Sequence, residues 1–241
     1  MKAILLTAGV GRRMGPATQD VPKSLLAIRG RTLLERHLAN FRRLGLAEAI
    51  LVVGHGAESV RACAGAAAEK PSLRFIPNAD YRKGSIVSLH AARMELAGDV
   101  LVMDADVLYD GRLLEKLIRS PHPSAILADG RLENTGEEMM VPAKDGRALR
   151  IGKGITAPPH DFLGEAVGFV KLAAGDARIL AGILDDFVRA GKTGLEYEES
   201  YNVLFDRRPV RVVPTGDIPW IEIDTPEDLA RAGKMASLLT D

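Results

Sequence analysis

The sequence predicts an α/β protein with a doubly wound, mostly parallel sheet and a small antiparallel extension. Three observations lead there. The first half alternates short apolar runs with amphipathic stretches. Glycines or aspartates follow the ends of those runs. The second half holds several short strand-like runs with no helical pattern between them.

The elements follow in order. Residues 2–7 form a short continuous apolar run, as in a strand covered on both faces. Residues 32–46 put Leu33, Leu34, Leu38, Phe41 and Leu44 at helical spacing, with Arg and Glu opposite. Residues 49–53 read as a second strand closed by Gly54-His55-Gly56, followed by a helix over 57–68. A third strand covers 73–76, a helix 85–96, and a fourth strand 100–103 that ends in Asp104-Ala105-Asp106. Such alternation predicts parallel strands with right-handed crossovers. Residues 124–128, 138–141, 148–151 and 166–171 are the short strands of the extension. Residues 174–190 return to helix, with Ile179, Leu180, Ile183, Leu184, Phe187 and Val188 on one face. Late strands cover 210–213 and 220–223. The last helix has Thr225 as N-cap, Pro226 at its first position and Asp228 as the reciprocal cap. No Pro/Ser-rich linker divides the chain, which predicts one domain over 1–241.

Bulk composition narrows the function. Lys and Arg number 32 against 32 Asp and Glu, so no global field draws the chain to nucleic acid or an anionic membrane. Any anionic ligand must be caught by a local cluster. Cys63 is the one cysteine, which excludes an internal disulfide and fits a reducing compartment. The first apolar run is too short for a signal peptide, and no apolar stretch approaches about 18 residues. The expectation is a soluble cytoplasmic protein.

The loop after the first strand carries the strongest signal. It contains Gly9 and Gly11, then Arg12 and Arg13, with Lys23 ten residues on. A dinucleotide fingerprint needs a third glycine where Met14 stands, and an acidic residue after the second strand. A P-loop needs a glycine where Pro22 stands, and proline removes an amide donor. A third reading is a glycine loop whose amides approach a triphosphate, with Arg12, Arg13 and Lys23 adding charge and the base lying against Thr7, Ala8 and Gly9. The plain alternative is a glycine turn with solvated arginines.

Two acidic pairs lie downstream. Asp104 and Asp106 sit at the strand edge where ligands of open α/β sheets bind. Glu222 and Asp224 alternate, so both project from one face of the last strand. Carboxylates so placed are costly unless they meet a cation, and a Mg²⁺ site is the economical reading. The alternative is loop capping. The five histidines are scattered and are read as non-catalytic.

Leu6-Thr7-Ala8-Gly9-Val10-Gly11-Arg12-Arg13-Met14, followed by Pro22-Lys23-Ser24-Leu25, resembles the signature of the nucleotidyltransferase family. Those enzymes join a nucleoside triphosphate to a phosphorylated small molecule and release pyrophosphate, on a Rossmann-like nucleotidyltransferase fold. The family loop usually reads L-A-A-G-x-G-[ST]-R-[ML]; Thr7 and Arg12 depart from it. The resemblance implies phosphate-binding, catalytic roles for Arg13 and Lys23, and leaves Arg12 open. It implies catalytic magnesium on Asp106, with Asp104 as runner-up, and on Glu222 and Asp224.

Trp220-Ile221-Glu222-Ile223-Asp224-Thr225-Pro226-Glu227-Asp228-Leu229 and segments around 138–141, 150–153 and 164–169 narrow the resemblance. They look like the small cytidylyltransferases of the phosphocholine, 2-aminoethylphosphonate and inositol 1-phosphate branch. There, Asn78, Tyr81 and the helix start at Gly84, Ser85 and Ser88 lie where the base is read. Gly84-Ser85 stands where relatives often carry Asn-Asn. Residues 1–120 then form the nucleotide-binding half and 121–241 the acceptor-binding half. Lys153 is a candidate for the acceptor's phosphate, and Glu165 is a further acceptor-binding candidate. Tyr197, Glu198 and Trp220 are candidates for a cationic amine, the alternative being an exposed acidic helix start.

The expected activity is Mg²⁺-dependent cytidylyl transfer from CTP, or another nucleoside triphosphate, to a small phosphorylated or phosphonate acceptor. A sugar-1-phosphate or inositol-1-phosphate nucleotidyltransferase and a non-catalytic nucleotide-sensing module stand as alternatives. No nucleic-acid or membrane partner is expected, and a homodimer stays open.

Overall fold

A computed structural model describes residues 1–11, 13–14, 21–131, 136, 138–156 and 158–239. Arg12, one of the candidate phosphate-binding residues, lies outside them.

One nine-stranded sheet takes strands from both halves of the chain. Its first half is β1 (Lys2–Leu6), β4 (Glu48–Val53), β5 (Ser72–Pro77) and β6 (Val100–Asp104), all parallel, in the order β5-β4-β1-β6. The chain winds outward from β1 to β5, then returns across β1 to β6. The switch point between β1 and β6 therefore opens a crevice at their carboxyl ends. The sheet continues through β11 (Phe162–Leu172), β8 (Ala125–Asp129), β12 (Arg211–Pro214), β10 (Arg147–Ala148) and β9 (Met140–Lys144). β11 is antiparallel to β6, β8 and β9, while β12 runs parallel to β8.

Helices cover both faces. α1 (Leu33–Arg43), α2 (Ala57–Ala66) and α4 (Gly111–Arg119) pack on one side; α3 (Ile86–Ala91), α5 (Ala174–Arg189) and α6 (Glu198–Arg207) pack on the other. α1 starts with a capping box between Thr32 and Glu35. The last helix, α7 (Pro226–Met235), starts with the expected box between Thr225 and Asp228 and with proline in its first turn.

Several elements differ from the sequence expectation. The helix expected over 85–96 breaks after Ala91 into a 3₁₀ turn at Arg93–Glu95. The expected strand 148–151 shrinks to the two residues of β10. β11 reaches 11 residues rather than six, because it crosses three partners and carries a bulge between Ala166 and Val170. Helix α4 was not expected, and the start of α6 was foreseen only as an alternative reading of its acidic residues. Each has an apolar stripe, Leu113-Leu114-Leu117 and Tyr201-Leu204-Phe205, set in charged surroundings.

A small ribbon positions the acids. β7 (Val107–Tyr109) pairs antiparallel with β13 (Trp220–Glu222), putting Glu222 opposite Val107. The Ile223 amide then donates to the Asp106 carbonyl at 3.0 Å. Residues more than a hundred positions apart are thereby held at one edge.

His37 lies beneath this ribbon, fully buried, with the Tyr109 hydroxyl 3.3 Å from Nδ1. Burial pushes its pKa down to about 3. Below about 6.5 the unfolded chain binds a proton that the folded chain refuses, so stability falls as pH drops from 6.5 towards 3. His37→Phe is expected to flatten that window by up to about 1.4 kcal/mol per pH unit. Denaturant melts of both proteins across the window measure it; parallel slopes contradict it.

Candidate active site

The carboxyl ends of β1 and β6 open into a cavity of about 320 Å³. Ala8, Gly9 and Gly11 line one wall and Ser85, Ser88 and Tyr197 another, with Asp104 and Asp106 also exposed to it. Gly11 has φ +65°, the left-handed backbone a turn of this kind demands. Tyr81, Arg82 and Lys83 also border the space. The Arg82 guanidinium lies over the Tyr81 ring at 5.0 Å.

Three candidate nucleotide residues stand behind the wall rather than in it. The Thr7 hydroxyl donates to the Val52 carbonyl at 2.7 Å, stitching β1 to β4. Asn78 accepts from the Asp80 amide at 2.9 Å and donates to Ser88 Oγ at 2.9 Å, so its amide is spent orienting Ser88. Gly84 backs onto another segment: a Cβ there would sit 2.0 Å from the Leu195 carbonyl oxygen. The Gly84 amide donates to the Thr193 carbonyl and Ser85 Oγ accepts from the Tyr197 amide, so the start of α3 fastens the start of α6.

At the cavity's inner edge, Asp106, Glu222 and Asp224 bring one carboxylate oxygen each within 4.8 Å of one another. The Asp224 amide donates to Asp228 at 3.0 Å, so the cap of α7 fixes the last acid. Three hard anionic oxygens in one place suit a divalent cation such as magnesium. Desolvation in the crowded cleft, and then the charges of Asp106 and Asp224, push Glu222 well above the usual carboxylate range, although the residue still reaches solvent. Such a cluster is strained until positive charge enters it.

Two cations supply part of that charge. Lys23 Nζ lies 3.0 Å from Asp106 and also bonds Asp224. Arg13 reaches the other Asp224 oxygen at 2.6 Å. Burial opposes charge on Lys23, but the flanking carboxylates Asp106 and Asp224 outweigh it and raise its pKa. A metal would therefore compete with the Lys23 ammonium for these carboxylates, and a phosphate would compete with the carboxylates for the ammonium.

Asp104 is set apart from the three acids. Its Oδ2 accepts from the Tyr197 hydroxyl at 2.6 Å, and burial with the charge of Asp106 raises it well above the usual range. The bulge in β11 makes room for it. Gly168 has φ +80°, and a Cβ there would lie 2.3 Å from Asp104 Oδ2. Gly168→Ala is therefore expected to cost about 1–3 kcal/mol and to displace Asp104. Urea unfolding measures the loss; unchanged stability contradicts it.

A second cavity of about 60 Å³ adjoins the acids and is lined by Lys153, Tyr197, Glu198, Tyr201, Glu222 and Asp224 among others. Burial pushes Glu198 up to about 8. Of the remaining acceptor candidates, Lys153, Tyr197 and Glu198 meet here, while Glu165 and Trp220 are not part of the lining. Trp220 donates its indole N–H to Asp129 at 2.7 Å, and that carboxylate also pairs with Arg131. Glu165 stands opposite Asp129 on β8 and Met140 on β9. Tyr201 is not among the candidates named from the sequence. Its four-residue spacing from Tyr197 was the signal that it turns inward.

A doubly wound sheet, a glycine loop bordering the crevice at its switch point and a three-acid cluster beside it are the framework of a nucleotidyltransferase-type fold. The chain belongs to the MobA-like NTP transferase domain family, whose model matches residues 3–183. It is 28% identical over 239 residues to the CMP-5'-(3-aminopropyl)phosphonate synthase of Streptomyces rubellomurinus, covering 96% of this chain and 38% of that one. It is 26% identical over 233 residues to the 2-aminoethylphosphonate cytidylyltransferase of Lancefieldella rimae, covering 95% of this chain and 90% of that one. The fold matches the CTP:phosphocholine cytidylyltransferase structure from Streptococcus pneumoniae with a TM-score of 0.76 at 22% identity, over 98% of each chain. Several curated relatives are longer, and the chain spans from 38% to 51% of their length. No helix among the described residues is long and apolar enough to cross a membrane.

Proposed function

We propose that the chain transfers a cytidylyl group from CTP to a small phosphate or phosphonate acceptor of the phosphocholine or 2-aminoethylphosphonate type. The observation that carries this reading is the convergence of Asp106, Glu222 and Asp224 with Lys23 and Arg13 beneath the glycine loop. The cytidylyltransferase relatives support the choice of CTP.

An acceptor oxygen attacks the α-phosphorus of CTP in line. The bond from that phosphorus to the bridging oxygen breaks, and pyrophosphate leaves with the electron pair. Two anions must meet, so positioning and charge neutralisation matter more than proton transfer. Asp106, Glu222 and Asp224 would hold a divalent cation such as magnesium, which would supply part of that charge neutralisation. The amides of the Gly9–Gly11 loop receive the triphosphate. Lys23 leaves the carboxylates for the α-phosphate, and Arg13 for the departing pyrophosphate. Asn78 already donates to Ser88 Oγ, so the Ser88 proton is directed elsewhere and is available to a base acceptor such as cytosine N3 or O2. Lys153 steadies the acceptor's phosphorus group.

A pyrophosphate-release screen crossing four nucleoside triphosphates with phosphocholine, 2-aminoethylphosphonate, inositol 1-phosphate and sugar 1-phosphates tests the reading. Turnover with CTP and one of the first two acceptors is expected. Turnover confined to UTP, GTP or dTTP with sugar phosphates overturns it.

A further inference from the structure

Two residues that line the small cavity beside the acid cluster each carry a polar atom left without a partner. Glu198 Oε2 and Tyr201 Oη are both shielded from solvent and have no hydrogen-bond partner among the described residues. Tyr201 is only 1% exposed. Both residues line the same cavity. A shielded carboxylate oxygen left unpaired bears its full desolvation penalty, and so does a shielded hydroxyl. One ligand group that donates to both removes both penalties.

The rest of the lining says what that group is attached to. Met139, Ile151 and Val170 are apolar and suit methylenes. The rings of Tyr197 and Tyr201 meet edge to face, centroids 5.4 Å apart, and form an aromatic wall. A carboxylate, a hydroxyl and two aromatic rings together favour a cation with N–H donors. A quaternary ammonium has no N–H and leaves Glu198 Oε2 unpaired. The space of about 60 Å³ corresponds to roughly two to four waters. That takes a tail of about three or four heavy atoms, fewer than a trimethylammonioethyl group or a cyclitol ring requires.

We propose that Glu198 and Tyr201 form a subsite for a primary ammonium on a short alkyl chain, at the far end of a phosphonate or phosphate acceptor. This rests on the cytidylyl-transfer reading and narrows it. Tyr197 holds the subsite in place, because its amide is tied to Ser85 and its hydroxyl to Asp104. Nucleotide and amine sites therefore share one wall.

The test uses the intact chain with CTP and magnesium and measures kcat/KM by pyrophosphate release. The acceptors are 2-aminoethylphosphonate, 3-aminopropylphosphonate, n-propylphosphonate, phosphocholine and inositol 1-phosphate. The two primary amines should exceed n-propylphosphonate and phosphocholine by about 100-fold or more, a factor typical of a paired buried charge. Glu198→Gln should collapse that preference while leaving the KM for CTP within about twofold, which also reports a folded protein. Tyr201→Phe, which keeps the ring, should reduce the preference more mildly. Equal use of propylphosphonate or phosphocholine overturns the subsite alone, and so does an undiminished amine preference in Glu198→Gln. Absence of pyrophosphate from CTP with every acceptor overturns the cytidylyl reading beneath it.

Discussion

Asp106→Asn is expected to lower kcat by about 1,000-fold or more while the protein stays folded, since it removes one anionic oxygen from a three-oxygen set. The asparagine keeps the shape of the side chain, and the backbone there is tied through the ribbon, where the Ile223 amide bonds the Asp106 carbonyl. A melting curve close to the wild type should accompany the loss. The KM for CTP should change far less than kcat, because the glycine-loop amides remain in place. Raised magnesium should recover part of the rate, as a weakened site is filled by mass action. Near-normal turnover by a folded Asp106→Asn protein contradicts the assignment of this cluster to the chemistry.

Lys23→Met is expected to cost about 100- to 1,000-fold in kcat by removing a cation aimed at developing phosphate charge. It should also do something a purely structural lysine cannot. Without nucleotide, the ammonium lies between Asp106 and Asp224 and offsets their repulsion. Removing it leaves the three carboxylates with only Arg13, at Asp224, to offset them, so the variant should be less stable than the wild type at low divalent-ion concentration. Added magnesium then meets one competing cation rather than two. Its Tm should rise with magnesium well beyond the small rise expected of the wild type. Equal magnesium responses from the two proteins contradict the view that Lys23 occupies the cation's place.

Much of this was legible in the sequence, and the reasons differ by element. β1, β4 and β6 declared themselves because each is buried on both faces and so reads as an apolar run, whereas β5, at the sheet edge, is half exposed and mixes Ser and Arg into its sequence. The start of α7 was legible because a capping box is local: Thr225, Pro226 and Asp228 need no distant partner. The pairing of β7 with β13 has no local signal. Only alternation in Glu222-Ile223-Asp224 hinted that both acids share a direction, and their meeting with Asp106 depends on a contact across more than a hundred residues.

Trp220 shows the limit of reading alternation further. It precedes Glu222 by two positions on the same strand, yet its indole N–H is drawn to the carboxylate of Asp129 at the end of β8. A buried indole seeks an acceptor, and sequence cannot say which one is nearest. The run 195–201 left two readings open. Its glutamates could hold an amine or form a solvated helix start, and Glu196 and Glu199 are exposed. Helical spacing, however, turns Tyr197 and Tyr201 inward and takes the Glu198 carboxylate with them. Asn78 and Gly84 do not line the cavity themselves; they shape Ser88 and Ser85, which do.

The central claim is that this cleft joins CMP to a phosphorus acid. Phosphorus NMR of the intact chain with CTP, magnesium and 2-aminoethylphosphonate tests it most directly. The account predicts a coupled pair of new resonances, one phosphonate and one phosphate, growing in step with pyrophosphate as CTP disappears. Unchanged CTP and acceptor signals, under conditions where UTP or dTTP and a sugar 1-phosphate are consumed, would contradict it.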